Sequence, residues 1–242
     1  MQYSSISREE RGLTVDLGVN IGAPEDIDTF VKFAQEIGLR VIGVPNSILS
    51  VPFQRVNDDF LLLRRTQVSA KRLPSAKRLT ERVRRQNAIL SVRLTRNVEM
   101  ANWAAGDTRI DMITVDQHTD TRLRRTTARL AAKGGTLLEV RFSALLHSSG
   151  LARSRLLKIF RENVAIAREA NMQVVLTSGA RRPLELRSPM AVKCIGTLLG
   201  VEFDDMSRIV DQVPRSMIER NLTKLRSSFV AEGVEIVQGG EE

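Results

Sequence analysis

The chain has 242 residues, 42% hydrophobic and 27% charged, which is long enough for one substantial core and ordinary for a folded globular protein. Its 37 Lys and Arg against 28 Asp and Glu give a formal charge of +9, a surplus that favours polyanions, nucleic acid ahead of a membrane surface. No apolar run approaches the roughly 20 residues of a membrane helix, Met1–Glu10 lacks a secretory core, and the lone cysteine, Cys194, excludes an internal disulfide and reads as a small core residue; a cytoplasmic protein with no membrane partner is expected.

Thr14–Asn20 is a short β-rich run. Pro24–Ile37 follows as a helix with Ile27, Phe30, Val31, Ala34 and Ile37 on one face, acids in its first turn and Gly38 at its end. Arg40–Val44 reads as the second strand and Phe60–Val68 as a weaker third. Residues 53–86 form a basic segment in which Pro74–Gln86 is a helix. Between Arg64 and Arg85 stand nine cations (Arg64, Arg65, Lys71, Arg72, Lys77, Arg78, Arg82, Arg84 and Arg85) and one acid, Glu81, so this stretch holds nearly the whole positive surplus. Its cations are candidate RNA contacts.

Ala88–Thr95 returns to strand character, and Val98–Ala105 is a short helix ended by Gly106. Trp103 on it reads as a core or interface residue. Ile110–Val115 is the next strand, Thr121–Ala132 a helix stopped by Gly134-Gly135, and Thr136–Phe142 a strand. Ser154–Ala170 is the longest clear helix. Gln173–Leu176 completes seven strand candidates, and helices are expected over Pro189–Leu199, Asp204–Val213 and Pro214–Ser227. Strands separated by helices argue for parallel βαβ units. The residues after the first strand, Asn20-Ile21-Gly22-Ala23-Pro24, are no Gly-rich phosphate loop, so a closed barrel fits better than an open doubly wound sheet. The expectation is an α/β chain whose residues 1–242 form a single TIM-like barrel. Val201–Phe203 is its only candidate for an eighth strand, which makes closure irregular, and residues 237–242 form a frayed tail. The apolar residues of Met206–Leu225, like the Val98–Trp103 segment, exceed what a barrel's outer face requires and are candidates for a protein interface.

Val174–Pro189 is the most informative stretch. A β-branched run ends in a turn of small residues, Ser178-Gly179-Ala180; Arg181 and Arg182 follow, and Arg187-Ser188-Pro189 opens a helix with Ser188 as N-cap. Three arginines beside a helix N-terminus suit phosphate binding. Catalytic chemistry is harder to find. Only His118 and His147 exist, without metal-ligand spacing, and Asp16, Asp111, Asp116 and Glu139 read as isolated acids satisfied by arginines. Ser178 has no nucleophile elbow. No catalytic residue and no metal ligand is assigned. Aromatic content of 4% leaves little for base stacking, so recognition would rest on phosphates and RNA shape.

The order Leu176-Thr177-Ser178-Gly179-Ala180, Leu186-Arg187-Ser188-Pro189, Ile195–Gly200 and Val213-Pro214-Arg215 resembles the carboxyl-terminal part of archaeal ribonuclease P protein component 3. That family includes the barrel subunit of the eukaryotic enzyme. The match is specific between Thr136 and Leu225 and architectural before that. The resemblance implies a barrel that binds and stabilises ribonuclease P RNA, which removes the 5′ leader of precursor tRNA. It further implies that Mg2+ serves the RNA with no cofactor on the protein, that precursor tRNA is met indirectly, and that the partner is a component 2 protein in a two-plus-two assembly. The alternative is a metal-dependent phosphoesterase on a related barrel.

Overall fold

Seven strands follow one another in parallel around a barrel: β1 (Val15–Asp16), β2 (Val41–Pro45), β4 (Phe60–Val68), β5 (Ile89–Arg93), β6 (Met112–Val115), β7 (Leu137–Arg141) and β8 (Val174–Thr177). The computed structural model describes residues 14–226 and the backbone of 229–231 and 234–235; the expected frayed tail at 237–242 lies outside the described residues. The strands read as unbroken apolar runs because both faces are covered. Val15, Val41, Leu61, Leu63, Ile89, Met112, Leu137 and Val175 fill the lower interior. Their neighbours Ile42, Leu62, Leu90, Ile113, Leu138 and Val174 lie under the outer helices.

A strand that composition did not reveal, β3 (Phe53–Asn57), pairs antiparallel with the first half of β4, while β5 pairs with its second half. The outer ring is α1 (Ile27–Glu36), α2 (Leu73–Arg84), α3 (Val98–Gly106), α4 (Arg125–Gly134), α5 (Ser143–Leu146), α6 (Gly150–Glu169) and α7 (Pro189–Leu198). Their ends carry local signals. The Asn97 side chain caps α3 by accepting from the Met100 N–H at 3.0 Å, Ser188 caps α7, and α4 stops at Gly135 with φ 72°.

β8 and β1 share no ladder among the described residues. The Asp16 carboxylate crosses the seam instead, accepting the Ser178 N–H at 3.2 Å, and the Asn20 N–H reaches the Ala180 carbonyl at 2.8 Å. Val201–Phe203 does not supply the missing strand. Gly200, at φ 85°, ends α7 and leads directly through these residues into the next helical segment, with Val201 buried under it and Phe203 exposed.

That segment becomes α8 (Val213–Lys224) after a wide π turn at Arg208–Gln212, beside Pro214, which has no N–H for the regular ladder. Val213, Met217 and Ile218 of α8 pack against the first residues of the strands and close the barrel's floor. The apolar surplus of residues 206–225 thus has an internal destination, which corrects its assignment to a protein interface. Asn221 donates to the Ala88 carbonyl at 2.9 Å and to Asp111 at 2.8 Å, pinning the helix. Cys194, expected in the core, is exposed on α7, because the buried side of that helix is used by other residues such as Gly196. Replacing Ile218, 1% exposed, with Ala empties part of the floor. The expected cost is about 2–5 kcal/mol, read as a lower urea midpoint with little change in slope; an unchanged midpoint would show that α8 does not close the barrel.

Candidate nucleic-acid interface

Parity within β4 decides the fate of two adjacent arginines. Leu61, Leu63 and Arg65 face inward, so Arg65 enters the barrel, whereas Arg64 faces the β3 side and donates to the Ser50 carbonyl at 2.7 Å. Arg65 is 4% exposed and makes a two-pronged contact with Glu139, both distances 2.5 Å. It also donates to the Leu17 carbonyl at 2.8 Å and to Ser91 at 3.1 Å. Glu139 in turn accepts from Thr114 at 2.5 Å and Thr177 at 2.7 Å. Arg65 is therefore a structural residue and is withdrawn as an RNA contact: phosphate cannot reach it.

Electrostatics follow the same geometry. Burial alone would raise the Glu139 pKa, but the guanidiniums of Arg65 and Arg141 and the hydrogen bonds hold it far below the ordinary carboxylate range. Asp16 goes the other way. Burial raises it, and the donors at Ser178 and Gly18 only partly oppose this. Among the described residues no three His, Cys, Asp or Glu side chains converge as metal ligands. A guanidinium fills the interior beside Glu139, where it repels any cation.

Arg84 is also committed. It donates to Asp111 at 2.6 Å and to the carbonyls of Arg109 and Ala88, tying α2 to the barrel floor. The other cations of the segment, Lys71, Arg72, Lys77, Arg78, Arg82 and Arg85, are exposed, and among the described residues none has an ion-pair partner. Lys77, Arg78, Glu81, Arg82 and Arg85 recur at spacings that share the outer face of α2, opposite the buried Ala76 and Thr80. Arg72 occupies the N-cap position without a side-chain cap. Cations at a helix N-terminus oppose its dipole, so this end is assembled against helix stability and in favour of anion attraction.

The loop after β8 divides its arginines. Ser178 and Gly179 (φ 69°) make the turn, with the Ser178 hydroxyl accepting the Ala180 N–H at 3.0 Å. Arg182 pairs with Glu185 at 2.9 Å, and Arg187 donates to the carbonyls of Leu184 and Leu186 at 2.8 Å. Arg181 is exposed and its guanidinium has no partner among the described residues, while its N–H caps Glu185 at 2.8 Å. Pro189 begins α7 behind the Ser188 cap. Sequence reasoning missed the role of Glu185, which is 7% exposed and gathers Arg181, Arg182 and His147. Its position four residues after Arg181 was the available signal. Trp103, half-buried, donates its indole N–H to Asp107 at 2.8 Å in an open groove with Lys77 and Arg109.

Removing the Glu139 charge strands Arg65, and Glu139→Gln is expected to cost roughly 3–5 kcal/mol. Because the folded pKa of Glu139 lies below its unfolded value, its contribution is full at neutral pH and is lost as pH falls below about 4–5 toward the folded pKa. Asp16, with a raised pKa, gains as pH falls and offsets part of that loss. Denaturant titrations from about pH 7 down to about pH 3 should show a flatter acid limb for Glu139→Gln than for the parent. Parallel curves would show that the pair is not what makes the fold acid-sensitive.

The family model described as RNase P subunit p30 matches residues 19–226. A ribonuclease P protein component 3 from Methanosarcina barkeri is 34% identical over 119 residues, 49% of each chain. One from Methanothermobacter thermautotrophicus is 23% identical over 181 residues, 74% of this chain and 73% of the relative. The chain spans about half the length of the Methanosarcina relatives it matches. A chain in the cryo-EM structure of archaeal ribonuclease P with mature tRNA superposes with a TM-score of 0.74 at 18% identity, covering 94% of this chain and all of that one, so the two share the barrel fold. A family match that begins three residues after β1 and runs past the end of α8 takes in nearly the whole barrel, and the chain belongs to the RNase P subunit p30 family.

Proposed function

We propose that this protein is an RNA-binding subunit of ribonuclease P that stabilises the catalytic RNA responsible for removing the 5′ leader of precursor tRNA. The observation that carries this reading is the family match over residues 19–226. The surface adds the face: Lys71, Arg72, Lys77, Arg78, Arg82 and Arg85 are exposed cations on and before α2 without ion-pair partners among the described residues. Phosphate oxygens are the natural acceptors for such a row. Arg181 adds one free guanidinium, while Arg182 and Arg187 serve mainly to shape their loop. In this reading Mg2+ belongs to the RNA, and precursor tRNA is met through the RNA. The protein partner is a component 2 family member in a two-plus-two assembly, and the address is cytoplasmic. The metal-dependent phosphoesterase alternative finds no support in an interior filled by Arg65 and Glu139.

Reconstitution tests the reading. Adding the protein with a component 2 partner to ribonuclease P RNA is expected to raise precursor-tRNA cleavage at moderate Mg2+, and no gain with any combination of partners would leave only a basic barrel. The face is tested by replacing Lys77, Arg78, Arg82 and Arg85 with Ala. RNA affinity should fall and the slope of log K against log salt should flatten by about 3, since each lost phosphate contact removes about 0.7–0.9. The unfolding midpoint should barely change, because these side chains are exposed. The Arg181→Ala, Arg182→Ala double variant is expected to flatten the slope by about 1 or less. The opposite ranking would place the RNA at the β8 loop instead of α2.

A further inference from the structure

We propose that the mouth of the barrel, at the carboxyl ends of β4 to β7, binds a single phosphate-type oxyanion through Arg141, with Arg93 and Gln67 beside it. Arg141 is the last residue of β7 and lies on the inward row with Glu139, while Leu138 and Val140 face the outer core. Its side chain is 10% exposed, yet its only hydrogen bond or ion pair among the described residues is Nε to Glu139 at 3.4 Å, the long limit of a hydrogen bond. The terminal nitrogens have no acceptor among the described residues. Unlike the sealed Arg65 Nε, they reach the solvent of the mouth, so an acceptor that enters there can be engaged without rearrangement of the barrel.

The surroundings increase the demand for an anion. Arg65, directly beneath, occupies both oxygens of Glu139. Burial and the charge of Arg65 both work against the Arg141 cation. Arg93, 37% exposed at the end of β5, uses its Nε on Asp116 at 3.0 Å. Three guanidiniums thus share Glu139 and Asp116, while Asp16 is turned to the seam by Ser178 and Gly18. Gln67 stands opposite Ser91 on the inward row, between the outward Thr66 and Val68, and its amide has no partner among the described residues. The Gly179 turn forms a wall. A Cβ there would lie 3.6 Å from the Arg141 Cβ and 2.9 Å from the Ser143 hydroxyl oxygen, so the turn packs closely beside the Arg141 stem.

A planar fork with free N–H groups, an amide and a second guanidinium match a tetrahedral oxyanion. A continuous nucleic-acid backbone cannot reach a residue 8% exposed, whereas inorganic phosphate or a terminal phosphate can. The site is separate from the α2 face and does not depend on the ribonuclease P reading.

Calorimetric titration of the full chain tests the site with three probes: inorganic phosphate, a short 5′-phosphorylated oligoribonucleotide and its 5′-hydroxyl counterpart. Phosphate is expected to bind, at least about tenfold more weakly in Arg141→Gln, equivalent to about 1.4 kcal/mol. Arg93→Gln, at a part-exposed position, is expected to weaken it as well and keeps the test available if Arg141→Gln does not fold. Tighter binding of the 5′-phosphorylated oligomer than of the hydroxyl form, lost in the variants, identifies an RNA end as the source. Equal binding of the two oligomers, with phosphate still bound, identifies a free small anion. Absence of binding by both phosphate and the phosphorylated oligomer overturns the proposal. So does binding unaffected by either substitution, or binding abolished by the four α2 substitutions, which would mark a general charge effect.

Discussion

The buried contact between Arg65 and Glu139 sets conditions that much of the barrel has to meet. Two charges removed from water need nearly every donor and acceptor satisfied, and the surrounding strands supply them: Ser91 from β5, Thr114 from β6, Thr177 from β8 and the Leu17 carbonyl after β1. The three side chains among them, Ser91, Thr114 and Thr177, are small and leave room for the large pair. Gly18 has the same cause, since a Cβ there would lie 2.6 Å from the Thr177 hydroxyl and 2.7 Å from Glu139. Such a pair adds little net stability over an apolar filling, but it penalises any arrangement that separates its members. It therefore ties the inward row of β4 to that of β7 across the barrel, and with it the register between them.

Below the pair the interior is apolar, and α8 seals it. Above it the polar row continues to the mouth. This layering explains how a seven-stranded barrel persists with an open seam. Asp16 and the Ser178–Ala180 turn bridge β1 and β8 by side chain and loop where a ladder is missing. The same turn positions Arg181 outside and rests on the Arg141 stem inside, so one short loop joins seam, rim and interior.

The outer surface is organised by charge. α1 and the turn before it carry Glu25, Asp26, Asp28 and Glu36 against a single cation, Lys32, while α2 carries the basic row. Acids elsewhere are largely committed: Asp111 holds Arg84 and Arg220 at the floor, and Glu185 holds Arg182 and His147 at the rim. What stays uncommitted on α2 is what a phosphate backbone can use. The interior pairing and the exterior surplus are thus separate devices, although both are built from arginine.

Much of this was legible in the chain alone. The seven strands announce themselves as short apolar, partly β-branched runs, Phe60–Val68 more weakly than the rest, and the helices by their caps and stops, with Ser188, Gly38 and Gly135 as clear instances; these signals act over a few residues and need no tertiary partner. The concentration of positive charge between Arg64 and Arg85 is likewise a property of sequence. The tertiary structure decided which charges are free. Arg64 and Arg65 are the same residue type side by side, and only strand parity sends the second into the barrel; Arg84 differs from Arg82 only in meeting Asp111. It also decided the floor, the β3 hairpin and the failure of Val201–Phe203 to become a strand, since each depends on which surface a segment finds to cover. Local signals determine what an element is, whereas burial and pairing across the fold determine what its side chains remain free to do.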